Sequence, residues 1–306
     1  MRSRWWGPRP GSAVKTQSWF ILSLTVALFW GLSGIFAKYS TGRLGVARVA
    51  LIIALVEGVA YTVAFLLWRD ASVEIGLWDA VLATASCVVG ISGYLCYFES
   101  ILEGQVAIVG TISAAYPVIV VIGATLMLGE GLTVIQGLGV FAIIGGVMAL
   151  SYEPNPGAAN SLSRRSLIFA MLAFLAWGVW SLTQKVAIDA VSAGNMFGFY
   201  IISSLTAPVM YAWARRVRPV HLKGENPTRS AWVIGGLALL LNVLGAFAYT
   251  YALEGGTASL VVPVTSAYPI ATALLAVAFL KERVTWPQAV ALVVVVAGLV
   301  MIGITL

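Results

Sequence analysis

Charge is scarce in this chain: Asp, Glu, Lys and Arg make up only 10% of its 306 residues. Soluble domains use about 25% to cover their surfaces, so a soluble globular fold is excluded. Disorder needs low hydrophobicity, whereas 60% of these residues are hydrophobic and the mean hydropathy is +0.95. Histidine occurs once, as His221 in a basic stretch beside Arg218 and Lys223. Aspartate occurs only as Asp70, Asp79 and Asp189, which flank expected helix ends and do not cluster. Intramembrane hydrolysis needs a nucleophile with a base, or a metal held by histidine and carboxylates, so an enzyme is disfavoured and neither metal nor cofactor is expected. The two cysteines, Cys87 and Cys96, lie nine residues apart on one apolar segment. That is roughly 13 Å along a helix, too far for a disulfide. The net charge of +6 comes without any aromatic-basic face, so nucleic acid is not an expected partner. Headgroup contact and membrane orientation account for it instead.

Long apolar runs dominate what remains. A spanning helix needs roughly 20 mostly apolar residues, and ten such stretches are predicted: 18–38, 46–68, 77–98, 105–128 and 133–151, then 167–188, 197–214, 231–252, 257–280 and 286–306. The runs show no period-two alternation and are too long for barrel strands. The first follows Arg2, Arg4, Arg9 and Lys15, as in a signal peptide, but its length and the spans after it make it a retained helix. The chain divides into a tail (1–17), a five-helix unit (18–151), a polar linker (152–166) and a second five-helix unit (167–306). No loop is long enough for a soluble domain, so any function must be built from helices.

The two units repeat each other. A shift of 147 lays Leu28, Trp30-Gly31 and Lys38 on Leu175, Trp177-Gly178 and Lys185. A shift of 152 lays Tyr97, Gly104 and Ala115-Tyr116-Pro117 on Tyr249, Gly256 and Ala267-Tyr268-Pro269. It also lays Glu130, Thr133, Gln136 and Gly146 on Glu282, Thr285, Gln288 and Gly298. A longer basic loop after Ala214 accounts for the difference. Five helices per unit force the units into opposite senses. The expected fold is therefore an all-α membrane protein of ten transmembrane helices in two inverted five-helix repeats, an architecture typical of secondary transporters.

These motifs resemble the EamA family of the drug/metabolite transporter superfamily. The resemblance rests on Tyr116-Pro117, Gly129-Glu130 and Gly145-Gly146, then Tyr268-Pro269, Lys281-Glu282-Arg283 and Gly298, and runs from about residue 18 to 306. It implies a carrier of amino acids or other small metabolites, commonly an exporter, in a prokaryotic plasma (inner) membrane and without ATP hydrolysis. The sequence agrees in lacking a Gly-x-x-x-x-Gly-Lys-Ser/Thr phosphate loop. The alternative reading is a transport-inactive sensor or scaffold.

Polar residues inside spans mark the candidate pathway, because hydrocarbon makes them costly. Glu57 lies mid-span in helix 2 and suits proton coupling or cation binding, or else is a hydrogen-bonded structural carboxyl. Lys38 and Lys185, with Gln184 beside the latter, end helices 1 and 6 at equivalent positions. They either snorkel to headgroups or hold an anionic solute group at opposite mouths. Trp30 and Trp177, each before a glycine, face a central cavity or simply pack. Pro117 and Pro269 break helices 4 and 9 and should leave the Ser113 and Thr265 carbonyls free, with Tyr116 and Tyr268 beside the breaks and Asn242 adding an amide in helix 8. The expected partners are a small solute, membrane lipid and protons. The basic N-terminus puts both termini inside, although twelve of the 18 basic residues then lie on the opposite side, against the positive-inside rule.

Overall fold

A computed structural model describes residues 18–103, 112–151, 164–217, 228–280 and 285–306. Every regular element among them is helical, as a bilayer requires of a chain that must satisfy its backbone internally. The first unit holds α1 (Ser18–Leu44), α2 (Val46–Trp68), α3 (Leu77–Glu103), α4 (Pro117–Met127) and α5 (Val134–Ser151). The second holds α6 (Arg164–Val191), α7 (Ala193–Val217), α8 (Arg229–Gly255), α9 (Ala258–Ser266), α10 (Tyr268–Leu280) and α11 (Trp286–Gly303).

Helices lie at all ten expected positions among the described residues, but not all are long enough to count as spans there. Eight helical stretches are long and apolar enough to cross a membrane, and two apolar ones, Ile112–Met127 and Val134–Leu150, are shorter. The first of these begins where residues 104–111, outside the description, leave off. Helix ends also move outward: α1 runs to Leu44 and α6 to Val191, because the polar final turns continue beyond the apolar stretch. Lys38 and Lys185 therefore sit within their helices and do not end them.

Helices pair across the repeats, in register. On α1 and α8, Trp19 lies by Gly256, Trp30 by Gly245 and Ser40 by Gly235; on α3 and α6, Gly93 lies by Trp177 and Gly90 by Trp180. Both pairs are antiparallel. The pair α2–α7 is antiparallel too, through Gly58 with Ser204, Phe65 with Gly198 and Trp68 with Gly194. So is α5–α11, where Gly146 meets Ala291 and Val295 while Gly298 meets Gly139 and Ile143. In these last two pairs each helix faces its own repeat counterpart, so the two units run in opposite senses.

The outer surface is apolar: Leu55, Leu66, Phe141 and Val293 are all exposed, as lipid contact demands. The residues of α9 are all buried, against a 22% buried share for the spans of α2 and α11, which makes α9 the central element of the bundle. The two hairpin corners also match. Gly45 before α2 has φ 73° and its counterpart Ser192 before α7 has φ 74°, so a left-handed residue turns each corner, without glycine's freedom at Ser192.

Candidate functional site

The site grows from two repeat-related aromatic contacts. Trp30 lies with the Cδ1–Nε1 side of its indole against Gly245 and Trp177 likewise against Gly93, where any side chain in place of hydrogen would collide with the indole. Each indole also meets a counterpart tyrosine: Trp30 meets Tyr249 at 5.3 Å between ring centres, and Trp177 meets Tyr97 at 5.6 Å. These contacts fix both tryptophans mid-bundle on opposite sides of the interior.

Beside them the repeats diverge in a compensated way. Trp180 of α6 fills the space over Gly90 of α3. The counterparts of this pair, 147 and 152 residues away, are Ser33 and Asn242. A small residue has replaced the large one and a polar side chain has replaced none, so α8 has room for an amide. Asn242 Nδ2 donates to Glu57 Oε1 at 3.2 Å, and Trp30 Nε1 donates to the Asn242 carbonyl at 3.2 Å. Three residues singled out separately in the sequence thus form one cluster joining α1, α2 and α8. The counterpart of Glu57 is Ser204, whose hydroxyl donates to the Ile201 carbonyl of its own helix.

Tyr94 of α3 completes the cluster. Its ring meets Trp177 at 5.4 Å, and it lies within electrostatic reach of Glu57 and Tyr268, yet it is 46% exposed. With neighbours from α2, α6 and α10 around it, that exposure is to space between helices. A crevice between α2, α3 and α7, lined in part by Ile53, Ile91, Tyr94 and Tyr211, opens beside it one helical turn from Glu57. Tyr94 and the Trp180–Gly90 exchange were missed in the sequence. A comparison of the aligned repeats for mismatches, in place of matches, would have found the exchange.

The helix breaks occur beside Pro117 and Pro269, but the freed carbonyls do not stay free. Tyr116 N donates to Ser113 O at 3.3 Å, and the Ala267 amide reaches the carbonyls of Val264 and Thr265. Tight local turns absorb the missing bonds, which corrects the expectation drawn from the sequence. Tyr116 is buried against Trp177 at 6.1 Å, while Tyr268 is half-buried.

Gln184 and Lys185 lie elsewhere, toward the end of the bundle where α6 gives way to α7. Gln184 is fully buried; its Oε1 accepts from Ser86 Oγ at 3.1 Å and its Nε2 donates to Tyr200 OH, which in turn contacts Thr250 Oγ1 at 3.1 Å. Lys185 Nζ donates to Asp189 Oδ1 at 2.9 Å and to the Leu253 carbonyl at 2.7 Å. Nearby, Glu254 accepts from Ala193 N at 2.8 Å, and Asn195 exchanges two bonds with the backbone of Asp70. Glu130 accepts from the amides of Ala258 and Ser259 at 2.9 and 2.8 Å, a carboxylate on the start of α9. The side chain of Lys38 lies outside the described residues. Among those described, no three metal-ligating side chains converge.

The profile of the EamA-like transporter family matches residues 17–152 and again 164–304. The chain belongs to the EamA-like transporter family. As a family member it is an integral, multi-pass membrane transporter. An uncharacterized transporter of Archaeoglobus fulgidus is 23% identical over 292 residues, 92% of this chain and 96% of that one. An uncharacterized protein of Methanocaldococcus jannaschii is 38% identical over 69 residues, 22% of this chain and half of that one. A solved crystal structure superposes with a TM-score of 0.74 at 18% identity, covering 94% of this EamA chain and 97% of the other, which shows a shared fold.

Proposed function

We propose that this EamA protein is a secondary transporter that exports a small organic metabolite across a prokaryotic plasma membrane by alternating access, with Glu57 coupling transport to protons. One observation carries the reading. The helix pairs α1–α8 and α3–α6 exchange with each other when the repeats are swapped, while α2–α7 and α5–α11 map onto themselves. Such a bundle can adopt two related packings, with the repeats exchanging conformations, and rocking between them exposes one site to each side in turn. The polar cluster at Glu57, Asn242 and Trp30 lies at the interface that would rock. A carboxyl in that position can be protonated while facing one side and ionised while facing the other, which is what coupling requires.

The test is solute counterflow in proteoliposomes containing the full-length protein, with and without an imposed pH gradient. Accumulation that follows the gradient, and that fails in Glu57→Gln while exchange persists at saturating solute, is the expected result. No flux of any solute would sink the transporter reading in favour of a sensor or scaffold. Normal accumulation in Glu57→Gln would leave transport standing and remove Glu57 from coupling.

A further inference from the structure

We propose that the cluster around Glu57 selects solutes carrying a positively charged amino or ammonium group; this rests on the transporter reading and names the substrate class of its site. Four observations point the same way. Glu57 has one oxygen engaged by the neutral amide of Asn242, and its other oxygen has no partner among the described residues. No basic side chain among those residues pairs with it. Aromatic residues lie near it: buried Tyr61 one turn along α2, Trp30 behind Asn242, and Tyr94, whose exposed ring meets Trp177 and lies within electrostatic reach of Glu57. A carboxylate beside the exposed tyrosine ring of Tyr94 is the arrangement that attracts an organic cation, by charge and by the negative face of the ring.

The anionic alternative lacks a free cation at the cluster among the described residues. Lys185 is saturated by Asp189 and by a helix carbonyl, away from the cluster. The half-helices at the breaks could offer amides to an anion, as discontinuous helices do in some transporters. Here the amides of Val118, Ile119, Val120 and Ile270 all donate to local carbonyls. What the cluster presents to a solute is one negative group and the exposed π-face of Tyr94. An amine fits that; a carboxylate does not.

The experiment uses purified full-length protein and three probes of like size: 2-phenylethylamine, 2-phenylethanol and phenylacetate. Calorimetric binding should favour the amine at least tenfold over both others. Glu57→Gln should bring the three affinities within about twofold of one another, while Glu57→Asp keeps the preference and guards against a folding artefact. Tyr94→Ala should weaken amine binding several-fold, with Tyr94→Phe close to wild type because the ring face is kept. Equal or tighter binding of phenylacetate, or an amine preference that survives in Glu57→Gln, overturns the proposal. Counterflow separates this from the broader reading. Flux of anionic solutes alone would sink the cation proposal and leave transport intact. Glu57-dependent amine binding without flux would uphold the cation site and sink transport.

Discussion

The two repeats are alike where helices cross and unlike where polar groups meet in the bundle interior. Trp30 on Gly245 and Trp177 on Gly93 are the same contact made twice, as are Gly146 and Gly298 in α5 and α11. The interior polar clusters do not follow this rule, although the helix starts at Thr133 and Thr285 do. The network of Gln184, Tyr200, Thr250 and Ser86 has Ala37, Ile53, Phe98 and Ala238 as its counterparts, and Asp189 has Gly42. Glu57 and Asn242 have Ser204 and Gly90. Packing that both orientations need has been kept in duplicate. Chemistry needed once has been placed once. The bundle end at Lys185 is laced by hydrogen bonds from α2, α6, α7 and α8, while the described side-chain ties between α3 and α6 at the opposite end are Arg165 with Glu99 at 3.0 Å and Ser166 with Ser100.

The sharpest break in this comparison is expected at its least symmetric point. Glu57→Gln should reduce pH-driven accumulation to background in proteoliposomes, whereas Ser204→Ala at the equivalent position should leave it within about twofold of wild type. Comparable losses in both would mean that the polar asymmetry has no functional content. Next come the duplicated contacts. Gly93→Val and Gly245→Val should each destabilise by about 3 kcal/mol through overpacking against an indole, read as matching drops in the detergent unfolding temperature. Trp177→Ala and Trp30→Ala should each partly rescue the glycine variant they face. A large drop for one glycine and none for the other would refute their equivalence.

A smaller effect is expected from the one-sided network. Gln184→Leu should cost about 1–3 kcal/mol, the penalty for leaving buried hydroxyls of Ser86 and Tyr200 without their partner. The mirror substitution, Ala37→Leu, removes no hydrogen bond and should not reproduce that loss in a thermal melt. The smallest effect belongs to the paired helix starts. Gln136 Oε1 accepts from Thr133 N at 2.9 Å, and Gln288 Oε1 from Thr285 N at 3.0 Å. Thr133→Ala and Thr285→Ala should each lower stability by about 1 kcal/mol, with unfolding temperatures that agree within error. A clear difference between them would show that α5 and α11 are not held alike.

Much of this architecture was legible in the sequence. Apolar run length gave helices, and two constant shifts gave the repeat, because duplicated packing keeps duplicated residues. Glu57, Asn242 and Trp30 each stood out for polarity or position. That they meet was not legible, since Glu57 and Asn242 are 185 residues apart and only helix register brings them together. The same holds for Lys185. Its partner Asp189 is one turn away on its own helix, but the Leu253 carbonyl comes from α8 and carries no side-chain signal. The prolines announced the breaks correctly in place, yet the carbonyls they free are recaptured by backbone turns that single residues do not encode.

The Glu130 carboxylate on the first amides of α9 has a mechanical side. It fixes one end of a nine-residue rod to the first repeat, and the turn at Ala267 gives that rod a joint at its other end. Beyond the joint, α10 extends through 13 residues, about 20 Å at 1.5 Å per residue. A swing of about 10° at the joint carries its far end through roughly 3 Å, the width of a water molecule, while the anchored end stays still. Fulcrum and lever arm lie on one continuous piece of chain, so a small torque near mid-membrane becomes a displacement at the surface.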